Sequence, residues 1–171
     1  MHISTDYLRT AFDPEQRQYN LDRARHKLRD LHFDTIVVRG VSGLVFGSML
    51  ALAMQKGVTV VRKPGESTHS NYGVEGLIPD THLDRWLIVD DFISTGSTMR
   101  AIVERMDFAP GLVGIYLFAH DRLCLFPFDM DPDTEELVCG HILEPIWERY
   151  ILKNGRENRG LCHNPDWSYE I

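Results

Sequence analysis

The sequence predicts an α/β fold, a parallel sheet flanked by helices, and three observations predict it. Four short β-branched or aliphatic runs lie before Ala119. Segments with helical periodicity precede or separate them. Charged residues or glycines follow the first three runs directly, as at strand ends where the chain turns to cross over.

The elements follow in order. From Asn20 to His32, apolar Leu21, Ala24, Leu28 and Leu31 fall three and four apart and describe one helix face. Thr35 to Gly40, TIVVRG, reads as a buried strand bounded by Asp34 and Gly40. Ser42 to Lys56 reads as a helix of small and aliphatic residues, ended by Gly57. Val58 to Lys63 is the second strand, stopped by Pro64-Gly65. Glu66 to His82 is rich in Gly, Ser, Asn and Pro and reads as a long loop, of a length that usually carries function. Arg85 to Asp90 is the third strand, Thr98 to Met106 a helix, and Leu112 to Phe118 the fourth strand. The acidic, proline-containing stretch from Phe126 to Glu136 and the aromatic-bearing residues after it read as an appended region.

Composition bounds the function. The 171 residues suit one domain with a full core. A formal net charge of −7 argues against a general nucleic-acid binder, which needs a basic face. Three widely spaced cysteines, Cys124, Cys139 and Cys162, make neither a paired zinc motif nor an evident disulfide framework, so a reducing cytoplasm is expected. No apolar run reaches the roughly 18 residues of a membrane span, and no partner membrane or nucleic acid is expected. The eight histidines show no metal-ligand spacing.

Ligands of parallel sheets bind beyond the carboxyl ends of the strands. That rule gathers Arg39-Gly40, Arg62-Lys63 and Asp90-Asp91 on one edge. Adjacent aspartates at a buried strand end repel, so Asp90 and Asp91 need a compensating partner such as a sugar diol, a cation or a basic side chain. Ser94-Thr95-Gly96-Ser97-Thr98 follows, and offers close backbone approach, successive N–H groups and a helix N-terminus, the features that hold a phosphate. An ordinary strand, turn and N-capped helix, with Ser97 or Thr98 as the cap, is the alternative for this segment.

LIVDDFISTGSTM, from Leu87 to Met99, resembles the signature of the type I phosphoribosyltransferases: an apolar strand, two acidic residues, two apolar residues and a T-G-(G/S)-T loop. A second stretch, Val37 to Gly65, is similar to the adenine phosphoribosyltransferase pattern, with its arginine-glycine turn, small-residue helix and V-R-K-P-G strand end. The likeness covers about Thr35 to Phe118.

The resemblance implies a Rossmann-like core over about residues 35–120. It implies a small hood built from about 1–33, about 121–171, or both. Its activity is transfer of the 5-phosphoribosyl group of phosphoribosyl pyrophosphate to a nucleobase, with release of pyrophosphate, Mg²⁺ as cofactor and a homodimer as the assembly. Asp90 and Asp91 would hold the ribose, and they are the protein groups on offer to a metal otherwise carried by substrate and water. Phe92, Ile93, Ser94, Thr95, Gly96, Ser97 and Thr98 would hold the base side and the 5′-phosphate. Arg39, Gly40, Val41, Ser42 and Gly43 would form the pyrophosphate turn, with Arg62 and Lys63 beside it. Tyr72 and Glu75 fall where the family has its catalytic loop, which closes to exclude water.

For the acceptor, the resemblance favours an adenine-like purine. The 6-oxopurine enzymes carry an aspartate where this chain has Ser94. Two features depart from adenine enzymes: the turn reads RGVSG in place of an ARGF run, and HNPDW, His163 to Trp167, has no counterpart. Orotate- or xanthine-type acceptors stay open, as does a regulator that binds phosphoribosyl pyrophosphate without transferring it. Hood aromatics on offer are Tyr7, Phe12, Tyr19, Trp147, Tyr150 and Trp167. A His120-Asp121 general base resembles one only superficially.

Overall fold

The structure is a computed structural model that describes residues 9–65, 73–79, 84–107, 109 and 111–125. Among these described residues ten elements are arranged as α1 (Arg9–Phe12), α2 (Pro14–Leu28), β1 (Thr35–Val38), α3 (Gly40–Met54), β2 (Gly57–Val61), β3 (Val74–Gly76), β4 (Trp86–Asp90), α4 (Ser97–Arg105), β5 (Leu112–Leu117) and β6 (Arg122–Leu125).

Among the described residues the sheet has six strands, in the order β3-β2-β1-β4-β5-β6. Its four central strands are parallel, with Val38 beside Val60 and Val37 beside Ile88. These are the four strands expected from sequence. The two edges are antiparallel, so the sheet is mixed and not wholly parallel. Both edge strands are short and at most half-buried, so the continuous apolar run that marks a central strand is missing from them. Strand β3 lies inside the segment expected to be loop throughout.

Helix α2 begins six residues before the expected start. Asp13 caps it, its carboxylate accepting from the Glu15 and Gln16 N–H groups at 3.1 and 3.0 Å, with Pro14 at the first turn. Helix α3 ends at Met54, where Gln55, not Gly57, takes the left-handed conformation (φ 56°). The Lys56 N–H then donates to the Ala51 carbonyl, and Gly57 is left to open β2.

Each face of the sheet buries its own core. Leu28, Phe33, Ile36, Val38, Phe46, Leu50, Leu87 and Val89 pack with α1–α3 on one side. Val37, Val61, Trp86, Ile88, Ile102 and Val103 pack with α4 on the other. The alternation along β1 and β4 follows the two-residue period of a strand. In β5 the alternation slips by one. Trp86 pairs with Leu112 but Leu87 pairs with Gly114, and this bulge puts Leu112 and Ile115 on the same face.

Helix α3 lies unusually close to the sheet. A Cβ on Gly47 would sit 2.4 Å from Val38 Cγ1, and one on Gly43 would sit 3.3 Å from the Val89 carbonyl oxygen. The two glycines are four apart and present one bare helix face to β1 and β4. That approach carries the N-terminus of α3 to the carboxyl end of the sheet.

Candidate active site

The parallel strands run out from β1 in opposite directions: the chain passes to β2 on one side and later to β4 on the other. The crevice between the ends of β1 and β4 is therefore the topological switch point, where α/β sheets bind ligands. A cavity of about 260 Å³ opens there. It is lined by Arg39 to Ser42 from the β1–α3 turn, Lys63 after β2, and Asp90 to Met99 from the end of β4 into α4.

Two helix N-termini meet at this cavity. The Arg39 side chain precedes α3 and does not cap it. Gly96 precedes α4 in the left-handed conformation (φ 72°) and has no side chain to cap with. The capping reading of Ser97 and Thr98 is therefore not what the fold uses. Ser97 N–H makes only a long contact with Thr95 Oγ1, 3.4 Å. Uncapped first turns concentrate backbone N–H donors and the positive end of the helix dipole, which suits an anion.

Between them sit the two aspartates, each under a tenth exposed. The Asp91 N–H donates to Asp90 Oδ1 at 3.0 Å, and the Phe92 N–H to Asp91 Oδ1 at 2.9 Å. The carbonyls of Asp90 and Asp91 accept from Phe118 and Ala119, so the pair is tied to the end of β5. Burial, and then the neighbouring Asp91 charge, push the Asp90 carboxyl up to about 7; the Asp91 N–H and the Lys63 charge oppose the shift. A carboxylate pair held this way is electrostatically incomplete without a ligand that offers hydroxyls or positive charge.

Lys63 crosses the β1–α3 turn. Its Cε and Nζ lie 3.7 Å from where a Cβ on Gly40 would stand, and Gly40 itself has φ 78°. Glycine here meets both demands, the left-handed backbone and room for the lysine stem. Gly43 does not line the cavity. Its bare Cα lies against the Val89 carbonyl, with Asp90 Oδ1 3.6 Å from its Cβ position, so it sets how near α3 comes to the aspartates.

Arg62 is placed differently from its neighbour. It does not line the cavity; its guanidinium donates to Glu75 Oε2 at 3.0 Å across the β2–β3 pair. Strand alternation is the reason: Val61 and Lys63 share one face and Arg62 the other. Glu75, expected on a loop, stands on β3. Tyr72, Tyr7, Trp147, Tyr150 and Trp167 lie outside the described residues. Phe12 and Tyr19 are exposed on the helical layer, and Arg23 lies 5.1 Å over the Tyr19 ring. Neither borders the cavity. Asp121 is engaged by Tyr116 Oη (2.8 Å), Arg23 (3.2 Å) and Lys27 (3.8 Å), so it ties the β5–β6 turn to α2 and is not a base for His120. Met99 lines the cavity and was not expected there. Its place as the first buried residue of the Met99-Ile102-Val103-Met106 stripe is the signal that locates it at the mouth of α4.

No family model matches the chain. The chain is 31% identical over 129 residues to the adenine phosphoribosyltransferase of Thermosipho melanesiensis, covering 67% of this chain and 73% of that protein. It is 30% identical over 135 residues to that of Thermosipho africanus, covering 71% and 78%.

The chain belongs to the type I phosphoribosyltransferase family.

The fold agrees with that membership. The adenine phosphoribosyltransferase of Thermoanaerobacter pseudethanolicus superposes with a TM-score of 0.51 at 24% identity, over 61% of this chain and 69% of that one. The UMP synthase of Leishmania donovani superposes with a TM-score of 0.54 at 21% identity, over 68% of this chain and 27% of the other. The chain spans 66% of the length of its Kosmotoga olearia relative, also an adenine phosphoribosyltransferase.

Proposed function

We propose that this chain transfers the 5-phosphoribosyl group of phosphoribosyl pyrophosphate to an adenine-like purine and releases pyrophosphate. One observation carries the reading. A buried carboxylate pair lies between two uncapped helix N-termini, at the switch point of the sheet. Phosphoribosyl pyrophosphate has the matching order of groups: a 5′-phosphate, a ribose diol and a pyrophosphate.

In this reading Ser94 to Thr98 and the α4 N-terminus receive the 5′-phosphate. Asp90 and Asp91 accept from the ribose hydroxyls. The Arg39–Ser42 turn and Lys63 receive the pyrophosphate and stabilise the charge that grows on it as the anomeric C–O bond breaks. Phe92, 45% exposed at the cavity, offers an apolar wall for the incoming base, whose nitrogen forms the new bond to the anomeric carbon. Holding both reactants in line supplies much of the acceleration.

The donor set fits Mg²⁺. Asp90 and Asp91 are hard oxygen ligands only partly balanced by Lys63, and among the described residues no three His, Cys, Asp or Glu side chains converge to hold a metal by themselves. Such a site leaves most of the coordination to substrate oxygens and water, as magnesium prefers. When bound, the ion supplies charge neutralisation to the leaving pyrophosphate.

We further propose a cytoplasmic homodimer. Among the described residues no helix is long and apolar enough to cross a membrane.

The test is pyrophosphate release from phosphoribosyl pyrophosphate and Mg²⁺ with adenine, guanine, hypoxanthine, xanthine, orotate, uracil and nicotinamide in turn. Adenine should give the highest kcat/KM. Binding measured by calorimetry without release for any base would instead identify a regulator. An Asp90→Asn/Asp91→Asn variant should stay folded and lose most activity; retained turnover would remove the two carboxylates from the mechanism.

A further inference from the structure

Each aspartate of the site is held through a single peptide plane. The Asp90 carbonyl accepts from the Phe118 N–H at 3.0 Å, and the N–H of that same peptide, on Asp91, donates to Asp90 Oδ1 at 3.0 Å. One residue on, the pattern repeats. The Asp91 carbonyl accepts from the Ala119 N–H at 3.2 Å, and the N–H of that peptide, on Phe92, donates to Asp91 Oδ1 at 2.9 Å. A peptide is planar, so whatever fixes its carbonyl also fixes its N–H. Phe118 and Ala119 therefore aim the N–H groups that hold both carboxylates.

The turn that carries Phe118 and Ala119 is secured from outside the cavity. Phe118 stacks on Phe46 of α3, with ring centroids 4.1 Å apart. Ala119 has no ring to stack, and its place depends on the turn that runs on to Asp121. Asp121 has φ 51°, a left-handed conformation uncommon outside glycine. Its carboxylate is gripped: Tyr116 Oη donates to Oδ1 at 2.8 Å, while Arg23 and Lys27 of α2 reach Oδ2 at 3.2 and 3.8 Å. Tyr116 is fully buried on β5. Burial, and then the bond to Asp121, keep its hydroxyl protonated far above the usual tyrosine range, so it is a fixed donor. None of Tyr116, Asp121, Arg23 and Lys27 lines the cavity. Arg23 and Lys27 precede Thr35, and Asp121 follows Phe118, so the brace has three members outside the stretch that resembles the family.

We propose that Asp121 is a positioning residue for the aspartate pair: held by Tyr116, it fixes the turn whose Phe118 and Ala119 N–H groups orient Asp90 and Asp91 toward the ribose diol. The proposal rests on the ribose role given to those aspartates above. Freeing Asp121 lets the peptide after Asp91 tilt, and hydrogen bonds weaken steeply as their angle departs from linear. The Arg39–Ser42 turn and Lys63 hang from β1 and β2 and are not part of the brace.

Calorimetry with ribose 5-phosphate and with pyrophosphate separates the two ends of the site. Mg²⁺ is left out, so that no ion bridges pyrophosphate to the aspartates. Asp121→Gly removes the carboxylate while glycine accepts the left-handed backbone freely. It should weaken ribose 5-phosphate binding roughly tenfold or more and leave pyrophosphate binding unchanged. Tyr116→Phe should shift the balance in the same direction. Asp121→Asn still accepts from Tyr116 and tolerates the same backbone, so it should bind both ligands as wild type does. Unchanged ribose 5-phosphate affinity in Asp121→Gly or Tyr116→Phe would overturn the positioning role. So would an Asn variant as weak as the Gly one, or equal losses for both ligands, which mark general loosening; in each case the proposed function stands. A wild type that binds no ribose 5-phosphate would overturn the ribose assignment and this proposal with it.

Discussion

Replacing Asp90 by Asn should stabilise the protein at neutral pH while removing activity. Asn keeps the shape and can still accept the Asp91 N–H at Oδ1. What it removes is a buried charge beside another. The Asp90 carboxyl ordinarily titrates at 3.8, and in the fold it is pushed up to about 7, first by burial and then by Asp91. The sign follows from proton uptake. Between these two values the folded state holds a proton that the unfolded state has released, so folding stability falls as pH rises through the window. The shift from 3.8 to about 7 corresponds to roughly 4 kcal/mol at most. Relaxation around the site and competition for the proton between the two aspartates reduce it, and on the order of 2 kcal/mol is expected at pH 8. Urea denaturation of both proteins at pH 4 and pH 8 reads it directly. The variant should be more stable than wild type at pH 8 and nearly equal to it at pH 4. A variant that is less stable at pH 8, or a difference independent of pH, would refute the account of the pair as a strained, ligand-seeking site.

Other perturbations bear on the frame. Gly47→Ala puts a methyl group 2.4 Å from Val38 Cγ1 and should cost about 1–3 kcal/mol in a thermal or urea melt, since α3 must lift off β1. Gly96→Ala forces a left-handed residue at the mouth of α4; it should cost about 1–2 kcal/mol of stability and raise KM for phosphoribosyl pyrophosphate in steady-state kinetics. Lys63→Met removes a charged contact worth about 1.5–3 kcal/mol and should raise the same KM by at least tenfold. The Arg62–Glu75 pair is about one-third exposed on both sides, so a double-mutant cycle should give a coupling below about 1 kcal/mol, and Glu75→Gln should leave that KM unchanged.

The contrast between Lys63 and Arg62 shows where reading the chain stops. Both follow the same strand and both carry the charge a pyrophosphate wants, so linear order cannot separate them. The pleat does, by sending Lys63 across Gly40 and Arg62 toward Glu75. Strand β3 was illegible for a related reason. Its three residues, half-buried Val74 and Glu75 and exposed Gly76, carry no periodicity, and they pair because β2 presents a free edge. The bulge in β5 likewise has no signature in LVGIYL; it arises where Leu87 pairs with Gly114.

The amino-acid sequence by itself determined the four parallel strands, the α3 and α4 helices and the carboxylate and phosphate-loop segment from Leu87 to Met99. These are local matters of propensity, periodicity and turn chemistry, each contained within a short span. Only the tertiary structure decided that β1 and β4 are neighbours while β2 lies on the far side of β1, because strand order depends on contacts between distant residues. That order makes the crevice, brings two uncapped helix ends to the aspartates and lifts the Asp90 carboxyl toward neutrality. Burial and proximity of charge are properties of the packed molecule, and they turn two adjacent aspartates into a site for a ligand.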